Sequence, residues 1–329
     1  MNVTGLGPLL ALLVATAALA YDPLATSQDA AITAPQDFTV QDAQRQRDIP
    51  VRVYLPPAKE AAPVVLFSHG LGGTREGSAF LGRHWAARGY VAVFLQHPGS
   101  DDSVWKNRPA AERAAAMRQA AGSQNFTLRV QDVPAAIDQL ERWNKTAGHA
   151  LEGRLDLVRL GMSGHSFGAV TTQAVSGQSF PLVGARFTDR RIKAAVVFSP
   201  SRPAVGDTQK AFGSVKIPWL LMTGTKDIAL IGGAAIGAAD MEARLAVYPA
   251  LPPGSKYELV LDGAEHSVFT DRALPGESGQ RNPQHHPVIL ALSTAFWDAY
   301  LRDNAEAKAW LDGEGPRSSL QENDKWQKK

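Results

Sequence analysis

Cysteine is absent from the 329 residues. No disulfide can form and no thiolate can act as nucleophile or metal ligand. Stability must come from the core, and any covalent chemistry must use an oxygen or nitrogen nucleophile. A basic run is missing too: 34 Lys and Arg against 32 Asp and Glu leave a formal net charge of +2, with a pI near 8.8. That balance excludes the basic stripe of a nucleic-acid binder and leaves only a weak attraction to anionic surfaces. His and acidic residues show no compact metal-ligand spacing, so the pattern calls for neither a metal nor another cofactor. There is no internal repeat and no low-complexity segment. Charge is absent from Met1 to Ala20. Leu9 to Ala15 is an apolar run, and Ala18-Leu19-Ala20 before Tyr21 has the small-residue pattern of a cleavage site. The stretch is short for a membrane span and is interrupted by Gly5, Gly7 and Pro8. It predicts a leader over 1–20, a mature chain from Tyr21 that is secreted or periplasmic, and no stable membrane span after cleavage.

Hydrophobic residues make up 44% of the chain, ample for one large core, so 21–329 reads as a single domain. Residues 21–36 form a polar arm. Asp37–Asp42 and Ile49–Leu55 read as strands joined by a polar turn, the second alternating between apolar and polar side chains. Pro63–Ser68 and Tyr90–Leu95 are nearly continuous apolar runs, as expected of parallel strands covered on both faces. Helices are predicted over Ser78–Arg88, Ala110–Ala121, Leu128–Trp143 despite Pro134, and about His286–Arg302. Further strands are predicted over Lys193–Phe198, Ile217–Thr223 and Lys256–Leu261. Strands alternating with helices predict a mostly parallel eight-stranded α/β sheet with helices on both faces.

Everything is arranged around 157–175. The apolar run Leu157–Ser163 enters Gly164-His165-Ser166-Phe167-Gly168 and leaves as the helical pattern Ala169–Val175. Gly-x-Ser-x-Gly between a strand and a helix is a nucleophile elbow. The serine sits on a strained turn at a helix N-terminus, and its neighbours must be small because strand and helix nearly touch there. Ser166 is the expected nucleophile. The glycine-rich loop His69-Gly70-Leu71-Gly72-Gly73 follows the third strand and is suited to present a backbone donor to an oxyanion. The Leu71 N–H and the Phe167 N–H are the expected pair. His97 and Trp105, in and just beyond the loop after the next strand, are candidates for lining a substrate cleft. Residues 110–121 would form a partial lid.

A serine nucleophile needs a base and an acid, in the chain order Ser, Asp, His for this elbow. Asp227 ends the seventh strand and His266 follows the eighth. His266 would take the hydroxyl proton and return it to the leaving group; Asp227 would hold the ring tautomer and stabilise the imidazolium. The competing histidines have other readings. His69 and His165 suit structural hydrogen bonds, and His285 and His286 suit capping or packing at the last helix. His84, His97 and His149 lack the sequence context of a base. Asp240 is the reserve acid but follows no strand, and Asp207 is the first carboxylate after the sixth strand.

Phe67-Ser68-His69-Gly70-Leu71-Gly72 together with Gly164-His165-Ser166-Phe167-Gly168 resembles the platelet-activating-factor acetylhydrolase group of α/β-hydrolases. Asp48–Leu55, His97–Asp101 and the tail Ala295–Leu301 with Trp310-Leu311 look like the exported bacterial proteins described as predicted dienelactone hydrolases. Two differences limit what carries over. Dienelactone hydrolases use a Cys nucleophile, and mammalian acetylhydrolases take their acid from the position after the sixth strand, where this chain has Ser199-Pro200-Ser201. The resemblance implies an α/β-hydrolase fold and an exported serine esterase acting through an acyl-enzyme on esters with short acyl groups. A polyester depolymerase or lipase-like enzyme, and a hydrolase fold retained only for binding, are the alternative expectations.

Overall fold

Period-two alternation along buried strands decides which helices cover which side of the sheet. The computed structural model describes residues 21–26, 34–229, 240–274 and 276–329, and the leader expected over 1–20 lies outside them. The strands are β1 (Gln36–Asp42), β2 (Arg47–Tyr54), β3 (Ala62–Ser68), β4 (Val91–Leu95), β5 (Leu155–His165), β6 (Ile192–Phe198), β7 (Trp219–Lys226), β8 (Lys256–Glu265) and β9 (Lys325–Lys328). Every residue of β3 and β4 is buried. Their side chains separate by face: Val65, Phe67, Ala92 and Phe94 join one apolar cluster, and Val64, Leu66, Val91, Val93 and Leu95 join another. Each fully buried large side chain contributes about 1.5–3 kcal/mol, the main stabilising source in a chain without cross-links.

The helices in chain order are α1 (Ala79–Ala87), α2 (Ala110–Ala120), α3 (Ser123–Lys145), α4 (Phe167–Val175), α5 (Thr208–Phe212), α6 (Met241–Leu245), α7 (Val247–Ala250), α8 (His285–Leu301), α9 (Ala305–Asp312) and α10 (Gly315–Ser319). Leu81 and Trp85 of α1 and Phe296 and Trp297 of α8 cover one face. Val133, Ala136, Ile137 and Leu140 of α3, with Ala174 and Val175 of α4, cover the other. Among the described residues no helix is long and apolar enough to cross a membrane.

The sheet order is β1-β2-β4-β3-β5-β6-β7-β8-β9. Pairings from β4 through β8 are parallel, whereas β1, β2 and β9 add antiparallel edges. The fold is therefore α/β with a mixed, mostly parallel sheet. Among the described residues it has nine strands rather than the expected eight: Lys325–Lys328 pairs with Val260–Tyr257 as an edge strand. Its sequence, Lys-Trp-Gln-Lys, is too short and too charged to announce itself. Charge on an exposed edge also discourages pairing with another chain. The chain moves from β3 outward to β4 and then crosses back to β5, so the connections that leave these two paired strands run to opposite faces of the sheet, α1 on one and α4 on the other. In α/β sheets such a switch in strand order is where sites are commonly built, here between the loop after β3 and the turn after β5.

Candidate active site

Between β5 and α4 only Ser166 remains, and it makes the whole turn. Its φ of 57° and ψ of −115° lie in a region costing a non-glycine residue about 1–3 kcal/mol. The surroundings enforce it. The Ser166 N–H donates to the Phe198 carbonyl at 3.1 Å, and the Val170 N–H donates to the Ser166 carbonyl at 3.1 Å. Gly164 and Gly168 are required by approach: a Cβ on Gly168 would lie 1.8 Å from the Ser68 carbonyl oxygen, and one on Gly164 would lie 2.4 Å from the Gly168 oxygen.

Ser166, His266 and Asp227 come together from three carboxyl-terminal strand ends. His266 Nδ1 donates to Asp227 Oδ1 at 2.5 Å. That bond fixes the proton on Nδ1 and leaves Nε2 to accept from Ser166 Oγ at 2.9 Å. Asp227 is wholly buried, while Ser166 and His266 keep 8% and 5% exposure, so the hydroxyl end of the array is the accessible one. Thr223 Oγ1 donates to Asp227 Oδ2 at 2.8 Å. Burial alone would push the Asp227 carboxyl up. The Arg244 guanidinium and the His266 ring outweigh it and hold the acid well below the usual carboxylate range. His165 Nε2 donates to the His266 carbonyl at 3.0 Å, anchoring the backbone that carries this ring.

Arg244, on α6, is almost completely buried. Its Nε lies 3.4 Å from Asp227 Oδ1. Nη1 donates to the carbonyls of Ser199 and Pro200, at 2.9 and 3.0 Å, and to Ser201 Oγ at 2.7 Å. The loop after β6 thus presents oxygens to a cation, and the carboxylate beside the base comes from β7.

On the other flank Gly70 lies against the elbow; a Cβ there would be 3.3 Å from that of Ser166. The N–H groups of Leu71 and Phe167 have no acceptor among the described residues. Phe167 opens α4, so its N–H is one of the donors that a helix start leaves unpaired. Beneath this loop lies a directional buried network. His97 is neutral, since burial and then the Arg129 charge bring it down to about 4. Its Nδ1 donates to Asp132 Oδ2 and its Nε2 accepts from Ser68 Oγ, both at 2.9 Å. The His97 N–H donates to His69 Nε2 at 3.0 Å, leaving His69 Nδ1 to donate to the Gly70 carbonyl at 2.6 Å. Asp132 also takes Arg45 and Arg47; burial opposes its ionisation, but the bonds from His97 and Arg47 hold it down to about 2.

His97 therefore does not line a cleft. It is fully buried under the Ser68–Gly70 backbone, because an aspartate on α3 and a serine on β3 satisfy both ring nitrogens. Trp105 is half-buried, and its indole N–H donates to the Gly72 carbonyl at 2.8 Å. α2, expected as a partial lid, places Met117 at Gly72, so both residues brace the glycine-rich loop. His285 and His286 donate to the carbonyls of Asp262 and Val268, at 3.1 and 2.9 Å. They line a cavity with Ser267 and Arg281 that does not include Ser166. Asp207 and Asp240 are N-caps of α5 and α6, accepting from the Lys210 and Ala243 N–H groups at 2.9 Å each. No group of three or more His, Asp or Glu able to hold a metal occurs among the described residues.

Sequence reasoning passed over Arg129, Asp132 and Arg244. One signal was available for Arg129. The stripe Val133, Ala136, Ile137, Leu140, continued back one turn, lands on Arg129, placing a cation on the core face of α3. Arg244 sits in a five-residue helix with no periodicity to read. No protein-family model matches the chain, and no curated protein matches it.

Proposed function

We propose that the chain is a serine hydrolase of carboxylic esters with an α/β-hydrolase fold, working through an acyl-enzyme. The observation that carries this reading is the continuous path from the Ser166 hydroxyl, on a strained backbone, through His266 to the wholly buried Asp227 carboxylate. In this reading Ser166 Oγ attacks the ester carbonyl carbon while His266 Nε2 takes its proton. The carbonyl π pair moves to oxygen, where the Leu71 and Phe167 N–H groups receive it. Collapse of the tetrahedral intermediate breaks the bond to the alkoxy oxygen, which leaves with the proton from His266. Water then repeats the sequence on the acyl-enzyme, releasing acid and restoring Ser166. Asp227 stays ionised throughout and stabilises each imidazolium.

The motif resemblance to the platelet-activating-factor acetylhydrolase and dienelactone-hydrolase-like proteins supports short acyl esters as substrates, and the apolar leader supports export. A fluorophosphonate probe should label the wild-type protein and leave Ser166→Ala unlabelled. On a p-nitrophenyl ester series from acetate to decanoate, Ser166→Ala should lose about 10⁴-fold or more in kcat while keeping its melting temperature. A folded Ser166→Ala variant with near-normal turnover would refute the reading. A wild-type protein that neither labels nor turns over would mark the fold as a binding scaffold.

A further inference from the structure

Arg129 is the least expected charge in the molecule. It is wholly buried on α3, yet it forms no ion pair among the described residues. The carboxylates whose charge reaches it have other partners: Asp132 is held by Arg45, Arg47 and His97, and Asp101 accepts from Gln96 and Ser103. Arg47 and the neutral rings of His69 and His97 are its other titratable neighbours. Its own contacts go to the two elements that flank Ser166 and to Ser100 in the loop after β4. Nη2 donates to the His69 carbonyl and, at 3.3 Å, to Ser68 Oγ. Nη1 donates to Ser100 Oγ at 3.2 Å. The guanidinium carbon sits 4.5 Å from the centre of the Phe167 ring.

We propose that Arg129 is a positioning residue for the oxyanion hole, holding the His69–Leu71 loop and Phe167 at a fixed separation and placing an unpaired positive charge behind both backbone donors. The proposal rests on the esterase reading above. Its physical basis is the contrast between what the contacts require and what is present. A neutral amide could bridge a carbonyl and two hydroxyls, whereas an enclosed, unpaired cation is costly to bury. Burial lowers the Arg129 guanidinium to about 9, so it remains charged at neutral pH. In a water-poor setting such a charge acts strongly on an oxyanion forming at the Leu71 and Phe167 N–H groups. It acts little on a neutral ground-state ester, which makes the effect one on kcat rather than on binding.

The experiment measures steady-state and burst kinetics on p-nitrophenyl acetate for wild type, Ser166→Ala, Arg129→Gln and Arg129→Ala. Arg129→Gln should lose about 10²-fold in kcat, with KM within about threefold, and both the acylation burst and the following deacylation should slow, because an oxyanion forms in each. In Arg129→Ala, added guanidinium at tens of millimolar should restore kcat about tenfold or more, whereas urea, the neutral molecule of the same shape, should not. Wild-type kcat in folded Arg129→Gln, a loss confined to KM, or equal rescue by urea would overturn the proposal. If the Arg129 variants do not fold, Phe167→Leu decides: it keeps the backbone donor but removes the stacked ring. An approximately tenfold lower kcat at constant KM is then expected, and unchanged kcat would overturn the proposal. Turnover independent of Ser166 would instead bring down the esterase reading, and this proposal with it.

Discussion

Arg129 and Arg244 are both enclosed, one on each side of Ser166, and both are held by main-chain carbonyls and serine hydroxyls. They differ in what their charge faces. Arg244 lies 3.4 Å from Asp227, so its field is directed at keeping that acid ionised for His266. Arg129 has no ion-pair partner among the described residues, and in the proposal above its field acts on the Leu71 and Phe167 N–H groups. A buried cation can be tolerated by pairing or by ordered dipoles, and the choice decides where its charge acts. The acid flank is therefore an anion stabilised in the ground state. The proposed oxyanion flank is a set of donors with no acceptor among the described residues.

Breaking the acid flank at its centre should have the larger effect. Asp227→Asn preserves shape but can offer an amide N–H to His266 and favour the wrong tautomer, so kcat should fall about 10⁴-fold. Asp207→Asn and Asp240→Asn should leave turnover nearly unchanged, because each carboxylate caps a short helix and Asn caps about as well. If either of these abolished turnover while Asp227→Asn did not, the acid would have to be reassigned. The oxyanion flank should be weaker per donor. Leu71→Pro deletes the N–H and should raise the barrier by about 3 kcal/mol, or roughly 10²-fold in kcat, in a variant whose circular dichroism matches wild type. Unchanged turnover there would move the hole elsewhere.

The smallest effect concerns stability against pH. Burial holds His69 well below the usual histidine value and His97 at about 4. Both are neutral when folded, while the unfolded chain takes up their protons below about pH 6.5. Stability from them is thus full above that pH and falls as the pH drops toward 4, by up to about 1.4 kcal/mol per pH unit for each ring. Asp227 and Asp132 are depressed instead, so their contribution persists above the unfolded carboxylate range and is lost only below about pH 3.8. Urea midpoints measured from pH 7 to pH 4 should show the first loss, and His97→Gln should flatten that slope. An equally steep slope in the variant would remove His97 from the account.

Residues that act through local chain geometry were legible in the sequence. Gly164 and Gly168 around Ser166 announce a turn that only small neighbours permit, and the end of an apolar strand places Asp227. The chain order Ser, Asp, His selected His266 from eight histidines. Residues that act through distant contacts were not legible. His97 follows a strand just as a cleft residue would, and only Ser68 and Asp132, on other elements, enclose it. The bond from the Trp105 indole to the Gly72 carbonyl likewise joins segments 33 residues apart. β9 exists because β8 offers it an edge.

The alternation of apolar strands and helices, the elbow at Ser166 and the chain order of Ser166, Asp227 and His266 are written in the sequence. These follow from backbone sterics and side-chain period, which are local properties of the chain. Tertiary structure alone decided the sheet order, the ninth strand, the burial of His97 and the distinct surroundings of Arg129 and Arg244. A charge acquires its role from the dipoles and opposite charges that the fold packs around it, and those come from residues far apart in the sequence.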